Sequence, residues 1–154
     1  MRTSRRVESV PTPDKSDMRE GIARACLRAV EDRSLSFAQV ADALRADGFD
    51  GLFVDHRRWM VKFYHVEGQV VTLGLSGPQT AVAPAFDSDA LRALVTTSSY
   101  TGVVDVPSRY RSKLLSLGCG GFLLSASRRS VTYMGLDGST FIQPVVAFDG
   151  VGRR

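Results

Sequence analysis

The residues best suited to chemistry in this 154-residue chain gather between Asp55 and His65. Asp55-His56-Arg57-Arg58 is the densest polar cluster, and a carboxylate beside an imidazole can orient a general base near neutral pH. Next along the chain, Trp59, Val61, Phe63 and His65 alternate, so on a strand they share one face. Arg129, Val131, Tyr133 and Gly135 repeat that spacing 70 positions later. The functional reading sets Trp59, Phe63 and Arg129 around a pocket between two halves of the chain, with Asp55 and His56 as further binding residues. His65 is then the acid–base residue, and Tyr133 or Arg129 stabilises charge. A plainer reading makes Trp59 and Tyr133 core aromatics, His65 a satisfied edge histidine and the Asp55 cluster a solvated turn.

Other chemistries find less support. Cys119 follows Gly118 at the end of a helix, where the dipole has the wrong sign to activate a thiolate. It reads as a small buried hydrophobe, and so does Cys26 on an apolar helix stripe. Gly118-Cys119-Gly120-Gly121 leaves a helix and enters a strand, whereas phosphate loops run from a strand into a helix N-terminus. No serine has a His and Asp partner at a known spacing. His56 and His65 on one hairpin do not make a metal site by themselves. No metal and no cofactor is expected.

The elements that must position these residues come in two matching sets. Shifted by 70, Leu44, Gly48, Gly51, Arg58, Val61 and Gly68 fall on Leu114, Gly118, Gly121, Arg128, Val131 and Gly138. Periods of tens of residues mark repeat architectures. Repeat one spans 16–73, a Gly-, Pro- and Ala-rich joint 74–86, and repeat two 87–148. Residues 1–15 and 149–154 read as tails. Within repeat one, Met18, Ile22, Cys26 and Val30 stripe a helix over about 18–33, capped by Ser16 or Asp17. Ser36 and Gln39 form the capping box of a second helix that Gly48 ends. Strands then run over 52–54, 59–66 and 69–73. Repeat two gives a helix from Asp87 or Ser88, another over 108–117, and strands over about 121–125, 129–135 and 139–148. The expected fold is α+β: a duplicated helix–helix–three-strand unit, with pseudo-twofold symmetry and helices covering one face of antiparallel sheet.

The run from Leu117 through Gly118-Cys-Gly-Gly-Phe-Leu-Leu-Ser125 to Tyr133-Met-Gly-Leu-Asp-Gly138 resembles the end of a small bacterial phage-envelope-protein-like family, a domain of unknown function. Ser36 to Gly51 is similar to the same unit. The resemblance covers about residues 17–148 and implies the fold. It carries no catalytic residues.

Composition narrows the rest. The formal charge of +4 sits in the tails. Arg2, Arg5, Arg6 and Lys15 against Glu8 and Asp14 give +2, Arg153 and Arg154 give +2, and the body is neutral with 14 basic and 14 acidic residues. A dedicated nucleic-acid surface belongs in the body, so nucleic acid is not the expected partner. No apolar run reaches the ~18 residues of a membrane span. Two distant cysteines fit a reducing compartment, so the expected location is the cytoplasm. The chain is therefore expected to be a non-catalytic binding module, with a small-molecule or protein site between its repeats or on an open sheet face. A homodimer through Met60, Tyr64 and Met134 is a further expectation. The alternative is a small enzyme using His65 in an asymmetric pocket.

Overall fold

A computed structural model describes residues 15–32, 34–101 and 107–145. Most of both expected tails, and the last residues of the third strand expected in repeat two, lie outside the described residues.

Helices α1 (Lys15–Glu31) and α2 (Phe37–Ala46) precede strands β1 (Phe49–Asp55), β2 (Met60–His65) and β3 (Val70–Gly74). Helices α3 (Ser88–Thr101) and α4 (Pro107–Ser116) precede β4 (Cys119–Ser125), β5 (Ser130–Gly135) and β6 (Thr140–Pro144). Local chemistry explains several of these boundaries. Ser36 Oγ accepts the Gln39 amide at 3.2 Å while the Gln39 side chain accepts the Ser36 amide at 2.9 Å, closing the expected capping box. Pro107 opens α4, where a missing amide hydrogen costs nothing. Gly48 and Gly118 follow α2 and α4 at φ 84° and 85°, conformations a glycine takes without strain.

The six strands form one antiparallel sheet in the order β3-β2-β1-β4-β5-β6. The two meanders therefore join edge to edge through β1 and β4, a point the residues alone left open. Phe49 pairs with His65 and Cys119 with Gly135; Met60 pairs with Gly74 and Ser130 with Pro144. Each pairing thus recurs 70 residues on. At the centre Phe53 faces Leu123, flanked by Leu52 with Leu124 and Val54 with Phe122. Backbones come close here. A Cβ at Gly51 would run into the Leu124 carbonyl, and one at Gly121 would come within 2.5 Å of the Val54 carbonyl.

Alternation then sorts the side chains. Leu52, Val54, Val61, Phe63, Val71, Phe122, Leu124, Val131 and Tyr133 point to one face and are buried with Ala23, Val40, Leu44, Leu91 and Leu114 from the helices. Met60, Tyr64, Phe53, Leu123, Met134 and Ile142 share the opposite face. This is the α+β arrangement with helices on one side of the sheet. No helix among the described residues is long and apolar enough to cross a membrane.

Trp59 departs from the expected strand. With φ 59° it is the last residue of the β1–β2 loop, as Arg129 with φ 52° is of the β4–β5 loop. Its aromatic character suggested a strand, but four loop residues between Asp55 and Met60 need a left-handed residue to re-enter the ladder. Trp59 therefore belongs to the loop and not to the strand, but its ring still packs against the core on the helix-covered side where Val61 and Phe63 point.

Candidate functional site

The loop that holds Trp59 also decides where His56 goes. Asp55 Oδ1 accepts the amides of Arg57 at 2.9 Å and Arg58 at 3.2 Å, the work of a turn-forming aspartate. The His56 amide donates across to the Gly120 carbonyl at 2.9 Å, tying the loop to β4. Arg57 and Arg58 stay exposed, whereas the His56 ring turns inward and is only 1% exposed. The solvated-turn reading thus describes three of the four cluster residues and fails for the histidine.

Inside, His56 Nδ1 lies 2.9 Å from the Cys119 carbonyl oxygen. A carbonyl only accepts, so Nδ1 carries the proton and Nε2 presents a lone pair. Burial pushes this imidazole below its ordinary pKa. The Cys119 carbonyl and Asp55 pull the other way, but with the Arg111 guanidinium adding to the depression they do not cancel it. The ring is neutral at pH 7. Among the described residues no donor meets Nε2.

His56 lines a cavity of about 30 Å3 together with Leu27, Glu31, Tyr110, Arg111 and Phe122. Both halves contribute: α1 and the His56 loop come from the first, α4 and β4 from the second. That volume is enough for at least one water-sized group.

A polar strap forms part of the wall. Glu31 Oε2 accepts from the Ser76 amide at 2.8 Å, the Ser76 hydroxyl at 2.8 Å and the Arg111 guanidinium at 2.9 Å. Partial burial raises the Glu31 pKa, but these donors outweigh it and hold the carboxyl below its usual range. Arg111 also donates to the Ser76 carbonyl at 3.0 Å, and its Cζ sits 5.2 Å from the centre of the Trp59 ring. Trp59 Nε1 donates to the Gly77 carbonyl at 3.0 Å, and its ring centre is 6.4 Å from that of His56. Loop, joint and helix thus meet over the cavity.

The other residues expected at a site lie elsewhere. His65 is buried, but Nδ1 accepts the Glu67 amide at 3.1 Å and Nε2 faces the Asp47 carbonyl at 3.2 Å. Both nitrogens hold backbone, pinning the end of α2 to the β2–β3 hairpin and leaving neither for proton transfer. Its counterpart, Gly135, has no room for a side chain, since a Cβ there would come 2.8 Å from Phe86 Cβ. In that half the Asp87 amide takes over, donating to the Leu117 carbonyl at 2.9 Å where His65 serves Asp47. The His65/Gly135 difference is thus a structural exchange between a side chain and the joint.

Phe63 is buried against Phe49, with ring centres 6.1 Å apart. Tyr133 is also buried, stacked on Phe141 at 6.0 Å, with its hydroxyl 3.4 Å from Gln143 Oε1. The Phe122 ring packs against Tyr133 at 5.8 Å and against His56 at 6.0 Å. Arg129 reaches outward to Asp42 at 2.6 Å. Only Trp59 and His56, with Asp55 as the turn's anchor, come to one place. Cys26 and Cys119 are buried free thiols, and burial pushes Cys119 up to about 11. It stays protonated and non-nucleophilic.

Glu31, Ser76, Tyr110 and Arg111 did not stand out in the sequence. A signal existed for Arg111, whose position 70 residues earlier holds Ala41. No protein family matches this chain, and no curated protein matches it. Function must be read from the residues themselves.

Proposed function

We propose that this chain is a non-catalytic binding module for a small neutral molecule, held at the seam between its halves. The observation that carries this reading is the buried, neutral His56, whose Nε2 lone pair beside a cavity meets no donor among the described residues. A buried acceptor left without a donor costs about 1–3 kcal/mol, so the site favours whatever supplies one. Arg111 next to it disfavours a cation. An imidazole that offers only an acceptor, beside an Arg111 guanidinium already held by Glu31 and the Ser76 carbonyl, disfavours an anion. A hydroxyl or amide N–H on a short aliphatic stem fits all three constraints. The cavity is small and partly open, so it takes the donor group while the stem lies along its mouth beside the Glu31–Arg111–Ser76 strap.

The matched registers support reading the halves as copies of one unit about a pseudo-twofold axis, with this site made where they differ. Two buried thiols fit a reducing compartment, and we place the module in the cytoplasm. An enzyme built on the same seam would use His56 as its base, because its proton sits on Nδ1 and its Nε2 is free to accept; His65 lacks that freedom.

Titrating the protein with short alcohols, diols and primary amides while following the histidine ring nitrogens by NMR tests the reading. Binding moves the His56 Nε2 resonance, leaves those of His65 in place, and raises the melting temperature. A panel that moves neither the His56 resonance nor the melting temperature overturns it.

A further inference from the structure

The strap beside the seam cavity loads one oxygen of its carboxylate and leaves the other unused. The Ser76 amide, the Ser76 hydroxyl and the Arg111 guanidinium all converge on Glu31 Oε2. A carboxylate spreads its lone pairs over two oxygens, yet among the described residues no donor meets Oε1. Glu31 lines the same cavity as His56. The two stand at different depths, since the Glu31 side chain is 16% exposed and His56 is 1% exposed. One unmet acceptor therefore lies deep in the site and a second nearer its mouth.

We infer that the ligand is a neutral molecule of the diol class. Its inner hydroxyl donates to His56 Nε2 and its outer hydroxyl to Glu31 Oε1. This rests on the reading of the seam as a small-molecule site and adds a second contact to it.

Two arguments select the class. The first is charge. Arg111 already lies 2.9 Å from the Glu31 carboxylate, so the pair is neutral as a unit, and an ammonium drawn to Oε1 would also face the guanidinium. The second is the separation in depth. An amide NH2 carries both its donors on one nitrogen and serves two acceptors only where both flank that atom. A deep acceptor and one at the mouth call for donors on separate carbons. The outer bond has a charged acceptor, which makes it the stronger kind. A site that hydrogen-bonds a hydroxyl also discriminates against the analogue that lacks it.

Histidine ring-nitrogen NMR titrations with straight-chain diols of two to four carbons test this. Each diol is paired with its monomethyl ether, which keeps the outer oxygen and loses the outer donor, and with the alcohol that lacks that oxygen. At least one diol is expected to bind about tenfold more tightly than both of its partners, read from the His56 Nε2 resonance. Glu31→Gln supplies the sharper readout. The Ser76 and Arg111 donors still need an oxygen where Oε2 stands, so the new amide nitrogen takes the place of Oε1 and donates. The monomethyl ether should then bind at least as well as the diol, a reversal that mere loosening of the strap does not produce. If the alcohols move His56 but no diol exceeds its ether, the two-donor ligand is overturned while the single-donor site stands. If nothing moves His56, both fall. An unchanged preference for the diol in Glu31→Gln removes Glu31 as the outer partner and overturns the inference as well. The wild-type panel decides alone should Glu31→Gln fold poorly.

Discussion

The hairpins Asp55–Met60 and Ser125–Ser130 share a backbone and differ in almost everything attached to it. Each has four loop residues, each ends on a left-handed non-glycine, and each starts with a side chain that accepts a loop amide: Asp55 from Arg58 at 3.2 Å, Ser125 from Arg128 at 3.2 Å. Each also sends its second residue's amide to the neighbouring meander, His56 to Gly120 and Ala126 to Asp50. The left-handed residues both reach across the seam, Trp59 to Arg111 of α4 and Arg129 to Asp42 of α2. Yet one inward position holds an imidazole beside a cavity and the other a methyl group in closed packing. Shared backbone demands explain the shared positions. The chemistry sits in a substitution that the backbone did not require.

If that division is right, matched positions should behave alike and mismatched ones should not. The largest effects belong to the matched core pair Phe63 and Tyr133, both fully buried. Phe63→Ala and Tyr133→Ala should each cost about 3–5 kcal/mol, read from urea midpoints, because each leaves a ring-sized void. A large inequality between them would show that the halves do not share the core evenly.

Next comes the strap, whose arginine has only Ala41 at the matching position in the other half. Glu31→Gln keeps the shape, removes the charge and leaves Arg111 with a weaker partner at a site where both are mostly buried; a loss of about 1–3 kcal/mol at neutral pH is expected. The sign with pH is fixed. The folded Glu31 pKa is depressed, so its contribution is present above the unfolded value of about 4.3 and fades as pH falls below it. Wild type and variant should therefore converge in acid. Parallel curves would remove Glu31 from the strap's energetics.

His56→Ala restores the residue found at the matching position and so erases the difference between the hairpins. It leaves the buried Cys119 carbonyl without its donor, at a cost of about 1 kcal/mol above pH 7. The folded pKa lies below that of an unfolded histidine. This contribution is thus complete above about pH 6.5 and is lost as pH falls from there toward the folded value. Unfolding curves at about pH 8, 6 and 5 should show the variant's deficit shrinking in acid. A constant deficit would mean that the ring titrates in the fold as it does in the open chain.

Much of the fold was legible because its signals are local. Ser36 with Gln39, the glycines at 48, 51, 118 and 121, and the alternation through Val61 and Phe63 each report a turn or a face within a few residues. Trp59 was misplaced because aromatic character favours strands while loop length dictated the conformation. The solvated-turn reading failed for His56 because its neighbours Arg57 and Arg58 are solvated while its own ring is buried; the better guide was Ala126, an apolar residue at the matching position. Glu31, Ser76 and Arg111 were illegible for a different reason. They lie 45 and 35 positions from one another along the chain and meet only because the joint crosses the end of α1 and the side of α4.

The smallest expected effect tests the other side of the opening comparison. Arg129 holds Asp42 at 2.6 Å, but Asp42 is 66% exposed, so water screens the pair and two long side chains must be ordered to make it. Arg129→Ala should cost no more than about 0.2–1 kcal/mol for the ion pair, because the arginine already bears the strain of its left-handed φ. Arg129→Gly relieves that strain and should fall at or above wild-type stability once salt is added. Ligand response at His56 should be unchanged in both variants, because no residue of the Arg129 loop lines the cavity. An altered His56 resonance in Arg129→Gly would show instead that the seam is set by both loops together, and the two hairpins would then differ in chemistry without being independent.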